Sequence, residues 1–369
     1  MNQLFRWDQT GLFLLALAAG ILPFAVPEVC AAALREGLAL CSGPLLLSLF
    51  PFLVVSRLLV QCPESDLLAL PFRLAAWGIG IRTPCAARVL CIGFLGGFAP
   101  AASAAAQAVR TGQLTVEEAD ALLPACICSG PSFVVLTVGQ SLLGSAELGV
   151  LLFASQITAN YLTAALLNRF AGVRSVKPGS AAPASPAPPR LDEILADAAI
   201  TYCKLCGFIL FFRMLAAGAG ALLPAGAGTL CSVLLEVCSG CDLASRTGRW
   251  GSLLCCAALS VQGLSVLLQV RTICPPEMTL RPLYRSRLLH LPLSLALFYL
   301  LLPGGEADVF STLPARVLLM RRVPPDCALL VFAVCCMAAC TLRSGIRQVE
   351  QKQMARNAGG CCINSKTLL

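Results

Sequence analysis

The groups in this chain best placed to do chemistry sit where its apolar runs are interrupted. "ACICSGPSFVVLTVG" carries Ser129, Gly130, Pro131 and Ser132 in mid-run. Pro131 removes a backbone donor and Gly130 lets the chain turn, so neutral hydroxyls stand beside unsatisfied backbone. "CIGFLGGFAPAASAAAQAVR" is broken in the same way around Gly97, with Ser103 in the small-residue run that follows and Arg110 at its end. Farther on, "LLEVCSGC" places Glu236 inside an apolar stretch, and "LSVQGLSVLLQVR" adds Gln262, Gly263, Ser265 and Gln269 before Arg271. The chemistry these types support is binding. Hydroxyls and amides hydrogen-bond a solute, the N-terminal ends of half-helices offer free donors and partial positive charge to a carboxylate or phosphate, and Arg110 with Arg271 could clamp two carboxylates bidentately. An ionisable group within an apolar run is functional by default. Glu236 also has a structural reading, as partner of Lys204 or Arg213.

Nothing comparable points to catalysis. HExxH, GxSxG, a Walker loop and other phosphate-binding loops are absent from the sequence, so an enzyme or an ATP-driven pump is not expected. The 21 cysteines lie mostly inside apolar runs such as "LLCCAAL" and "FAVCCMAAC", where they act as small hydrophobes. Two CxxC spacings, Cys203/Cys206 and Cys238/Cys241, could hold zinc as a pair, but with His290 the single histidine and both pairs in membrane segments, thiols are the reading. No cofactor or metal is implied.

The elements that must position these groups are membrane helices. Hydrophobic residues make up 57% of the 369, charged residues 12%, and the mean hydropathy is +0.81, whereas a soluble domain carries about 25% charged residues. The expected class is an all-α polytopic membrane protein. Residues 11–33, 38–60, 146–168, 194–217 and 326–342 are each long enough to cross a bilayer, which takes about 20 apolar residues. The first of these runs past Pro23 without a cleavage site and reads as a retained helix rather than a signal peptide. Residues 67–81, 85–109, 121–144, 221–240, 251–271 and 290–302 are shorter or interrupted and read as half-helices, hairpins or interfacial segments.

"AGVRSVKPGSAAPASPAPPRLD" (171–192) cannot form a core or a spanning helix and reads as an exposed linker. Arg169, Arg174, Lys177 and Arg190 around it, and the basic tail, place both in the cytoplasm by the positive-inside rule. The net charge of +8 therefore reports topology and contact with anionic lipid, and no motif points to nucleic acid. The organisation expected is an N-terminal membrane helix (1–37), a first half (38–170), the linker (171–192), a second half (193–342) and the tail (343–369). The halves look alike: Gly97 and Gly263, Arg110 and Arg271, Thr115 and Thr279 recur at a near-constant offset, which predicts residues 91–110 and 255–272 as equivalent broken segments. Gly/Pro-interrupted segments at matching places in two halves are the sequence pointer to a transporter site. A broken helix frees N–H and C=O groups that lipid cannot satisfy, so it must be packed in protein or line a wet cavity. The glycines also admit a plainer reading, close helix packing.

"GFLGGFAPAASAAAQAVRTGQLTVEEADALL", "SGPSFVVLTVG", "LLEVCSGC" and "LSVQGLSVLLQV", in that order over about residues 40–300, resemble the sporulation integral membrane protein family YlbJ. The resemblance implies a duplicated nucleoside-recognition (Gate) fold related to concentrative nucleoside transporters, and a role in spore formation as exporter of dipicolinic acid from the mother cell. The chain departs from the family where Gly-Tyr-Pro-x-Gly-Ala-Lys is usual: it has Gly97, Phe98, Ala99, Pro100, Ala101, Ala102 and Ser103. Ile127 stands where the family tends to have asparagine, and Cys238 where it has threonine, while Glu236 and Gly240 match. The expected function is transport of a small organic anion, with a nucleoside-like solute or a non-transporting envelope scaffold as alternatives, acting from a cell membrane and open to homo-oligomer formation.

Overall fold

The computed structural model describes residues 9–61, 69–172 and 190–302. Most of the linker, the apolar stretch 326–342 and the tail 343–369 lie outside the described residues. Every regular element among the described residues is a helix. In chain order they are α1 (Gln9–Ala25), α2 (Pro27–Ser42), α3 (Pro44–Gln61), α4 (Leu70–Gly78), α5 (Pro84–Gly96), α6 (Phe98–Arg110), α7 (Val116–Cys126), a π-helix (Ser132–Leu142), α8 (Ala146–Ala171), α9 (Leu191–Leu222), α10 (Ala225–Leu235), α11 (Val237–Ser245), a short 3-10 helix (Gly248–Trp250), α12 (Gly251–Val261), α13 (Gly263–Ile273) and α14 (Arg281–Leu301).

Among the described residues, three stretches are long and apolar enough to cross a membrane: Ala146–Ala171, Leu191–Leu222 and Gly248–Ile273. The outer surface fits that reading, with Phe24 89% and Phe170 82% exposed, while Gln156, Asn160, Ser260 and Gln262 are buried. Polar groups inside and large apolar groups outside are what a bilayer solvent selects. The chain is an α-helical membrane protein. Two expected spans take another form. Residues 11–33 are not one helix, because the chain bends by 109° between Ala25 and Pro27. Proline is welcome in the first turn of a new helix but restricts the residue before it, and Val26 leaves the helical region (φ −140°, ψ 63°). Residues 38–60 are likewise divided at Gly43, between α2 and α3.

Helix starts follow their capping residues. Thr115 and Glu118 form a reciprocal capping box at the head of α7, the Glu118 N–H donating to Thr115 Oγ1 at 3.1 Å and the Thr115 N–H to Glu118 Oε2 at 3.2 Å. Thr279 plays a different part. Its N–H and hydroxyl donate to Asp120 of α7 at 2.9 and 2.7 Å, and the Leu280 N–H adds a third bond at 3.2 Å. Leu280 has φ +54°, an uncommon conformation for leucine, and this carboxylate holds it. Asp120 thereby ties the first half to the head of α14. Asp120→Ala is expected to cost roughly 1.5–3 kcal/mol, the range for hydrogen bonds to a charged group. A melting curve in detergent would show it as a clear drop, with the exposed Glu117→Ala near wild type.

Both halves fold back in hairpins, but at positions other than the repeat offset suggests. α5 and α6 pack on each other across Gly97, and α10 and α11 do so across Glu236. Residues 251–273 instead run on through Gln262 as part of the span Gly248–Ile273. The chain thus folds back at 84–110 and at 225–245, and each hairpin is followed by a segment interrupted within its length, 116–142 and 251–273. The packing repeats accordingly: α6 lies on α13 of the other half, and α11 lies on the π-helix. Small residues allow this, since Ala99, Ala101, Ala102, Ala104, Ala105, Ala106 and Ala108 leave α6 buried on all sides. The π-helix approaches α8 so closely that a Cβ on Gly139 would lie 2.4 Å from Gly149 Cα.

Candidate functional site

Each hairpin tip rests on the break of its neighbouring segment. Gly97 has φ +83° and ψ −163°, and a Cβ there would lie 2.6 Å from Gly130 N. Only glycine fits such a turn against another backbone. In the second half the glycine is on the other partner: Gly263, φ +68°, sits so that a Cβ would meet Leu235 O at 3.0 Å and Glu236 N at 3.1 Å. Breaks inside a membrane protein need hydrogen-bond partners from elsewhere, and these are supplied across the halves. The Ile127 carbonyl, freed at the first break, accepts from Gln262 Nε2 at 3.1 Å and Asn160 Nδ2 at 3.2 Å. Asn160 in turn accepts from Arg287 Nη2 at 3.1 Å.

Between the halves, beneath both tips, lies a cavity of about 50 Å³. Its walls include Gly96, Phe98, Ser129, Gly130 and Ser132 from the first half, Glu236, Cys238 and Gln269 from the second, and the apolar side chains of Leu45, Leu49 and Ile209. Glu236, buried, is the N-cap of α11: Oε1 accepts from the Cys238 N–H at 2.8 Å, and Oε2 from the Ser239 N–H at 2.7 Å and the Ser239 hydroxyl at 2.9 Å. The donors of this half-helix end, suited to an anionic ligand, are therefore met by the chain's own carboxylate. Neither suggested base pairs with Glu236. Arg213 bonds Glu36 at 2.7 Å, and Lys204 is exposed.

The expected site residues divide into three groups. Ser129, Gly130, Ser132 and Glu236 share the cavity wall, and Gly97 abuts it through Gly130. Gln262, Gly263 and Ser265 stand just behind: Ser265 Oγ accepts from Gln269 Nε2 at 2.9 Å, so the amide of the lining Gln269 is anchored there, and its Oε1 is left without a partner. Ser103, Arg110 and Arg271 lie elsewhere. Ser103 is enclosed within α6 with its hydroxyl unpartnered. Arg110 reaches Gln107 Oε1 at 3.3 Å, and Arg271 donates to the carbonyls of Met278 at 2.5 Å and Pro276 at 3.3 Å, fixing the turn before α14. Their distance from the tips follows from helix geometry. At about 1.5 Å per residue, the end of α6 is roughly 20 Å from Gly97 and Arg271 roughly 12 Å from Gly263. The arginine clamp does not form at the cavity.

Reading the sequence missed Gln156, Asn160, Arg287 and His290. Gln156 and Asn160 are spaced by four within the span 146–171, and Arg287 and His290 by three within "YRSRLLH", spacings that put each pair on one helix face. Gln156 Nε2 donates to Ser260 Oγ at 3.0 Å and to the Cys256 carbonyl at 3.2 Å, and Ser260 shares a 2.5 Å bond with Ser294. The CxxC cysteines gather no metal-ligand cluster among the described residues. A larger hollow of about 640 Å³ by Trp77, Asn168 and Arg169 is at the end of α8, away from the breaks. In comparisons with known protein families, curated proteins and solved structures, the chain matches none.

Proposed function

We propose that this membrane protein is a transporter of a small polar solute, with the cavity beneath the hairpin tips as its binding site. The observation that carries this reading is the meeting of two hairpin tips and two broken segments at one cavity between the halves, mostly apolar but reached by four polar residues, Ser129, Ser132, Glu236 and Gln269. Close packing of helices alone would not leave Ser129, Ser132, Glu236 and Gln269 facing a common space. The space, about 50 Å³, is well below the roughly 300–1,000 Å³ of a site that encloses a small organic molecule. Loading therefore requires the tips to part, and the hairpins, whose two arms meet at the single residues Gly97 and Glu236, are the elements that would move.

The lining favours a neutral, hydrogen-bonding solute of nucleoside-like character. It offers hydroxyls, an amide and one carboxylate, and no basic side chain. The resemblance to the YlbJ family supports a second reading, export of an organic dianion such as dipicolinate in spore formation. That reading needs a positive charge at the solute, and the family's lysine position is Ser103 here. Purified protein in liposomes decides between them. Uptake of labelled nucleosides, dipicolinate and simple dicarboxylates is measured under an imposed pH or sodium gradient, and accumulation of nucleosides but not dianions is expected. Dianion transport without nucleoside transport would establish the second reading, and transport of neither class would leave a membrane scaffold.

A further inference from the structure

Arg287 poses a problem of charge that the described residues do not solve. It lies on α14, 8% exposed, facing α8 in an antiparallel register in which Arg287 Nη2 meets Asn160 Oδ1 at 3.1 Å and His290 Nε2 meets the Gln156 carbonyl at 3.2 Å. Its remaining bond is a 3.3 Å contact from Nε to Ser286 Oγ, and Nη1 has no partner. Both partners are neutral. Among the described residues no carboxylate is bonded to it. A guanidinium stays protonated in proteins, and burying one without a counter-charge costs several kcal/mol. Two further polar atoms close by are left open: His290 Nδ1, one turn along α14, and Thr163 Oγ1, one turn beyond Asn160 on the facing helix.

We propose that Arg287 is the binding site of a compact monovalent anion, received at Nη1 between α8 and α14, whose source is either a free halide or a solute carboxylate. The observations require one negative charge and an acceptor that accommodates a guanidinium N–H, and both sources meet that need. The site is separate from the cavity beneath the tips, and the inference does not rest on the chain being a transporter. Through Asn160 and the Ile127 carbonyl, occupation at Arg287 would also steady the contact between the two breaks.

Thermal unfolding of the detergent-purified full chain tests it, in chloride, acetate or gluconate at equal ionic strength. A ligand that binds only the folded state raises the unfolding midpoint in a saturable way, here by about a few degrees over gluconate. A response to chloride alone identifies the halide as the source, and a response to acetate identifies the carboxylate. Arg287→Gln should abolish the response. Because that variant could fail to fold, Asn160→Asp provides the second test: it places a carboxylate on the Nη2 side, while Gln262 still serves the Ile127 carbonyl, and so removes the need for an external anion. Equal midpoints in all three salts for the wild type, or an undiminished anion response in Asn160→Asp, would overturn the proposal.

Discussion

Gly97→Ala is expected to abolish transport and to lower the melting temperature far more than Gly112→Ala does. Both glycines have positive φ, +83° and +70°, so both substitutions bear the conformational penalty. For a left-handed or glycine-only backbone region this is about 1–3 kcal/mol. The difference lies in space. Nothing lies within 4 Å of a Cβ at Gly112, whereas at Gly97 the new atom would be 2.6 Å from Gly130 N and 2.9 Å from Gly130 Cα. Backbone cannot rotate aside as a side chain would, so the tip of the first hairpin must lift from the break at 127–131. That displaces Ser129, Gly130 and Ser132 from the cavity they line. Melting curves of the two variants in detergent, with uptake in liposomes, measure the contrast. Equal losses in stability would mean that the hairpin tip does not rest on the break at 127–131 in the functioning protein.

Most of the breaks were legible in the sequence because they are made by residues with a local physical signature. Gly97 and the Ser129-Gly130-Pro131 turn could not continue a membrane helix unnoticed, and Thr115 with Glu118 announced the start of α7, whereas Glu236 stood out as an acidic residue within an apolar stretch and not as a break. What a chain does after a break is a different matter. Whether it folds back, as at Gly97 and Glu236, or runs on, as at Gln262, depends on which backbone the tip rests against, and that is a tertiary fact. The near-constant offset therefore aligned Gly97 with Gly263, which share a positive φ and a close backbone neighbour but sit on unlike elements. Arg287 was hidden for a similar reason. Arg285, two residues earlier, is exposed, and the sequence does not say which of the two arginines turns inward; the structure shows Arg287 and His290 facing α8. The bend at Val26 was within reach, since Pro27 favours the start of a helix over its interior.

Glu236→Gln is expected to change which solutes are carried. The substitution keeps the side chain's size and one acceptor oxygen for the α11 end, while removing the one charge on the cavity wall. At roughly 6 Å and an effective dielectric constant of about 20, two unit charges interact by about 3 kcal/mol, a factor of roughly a hundred. Loss of that repulsion should raise dianion uptake relative to nucleoside uptake by about ten- to a hundredfold, with nucleoside uptake itself falling a few-fold as one capping bond weakens. Glu236→Ala separates charge from structure. It also leaves the Cys238 and Ser239 N–H groups without an acceptor, which costs about 0.5–2 kcal/mol for a lost N-cap, and its melting temperature should drop where that of Glu236→Gln drops less. The ratio of the two uptake rates is the decisive quantity, because a general loss of fold lowers both. If the ratio in Glu236→Gln equals that of wild type while both solutes are still carried, the charge of Glu236 does not face the solute, and its part is confined to closing the end of α11.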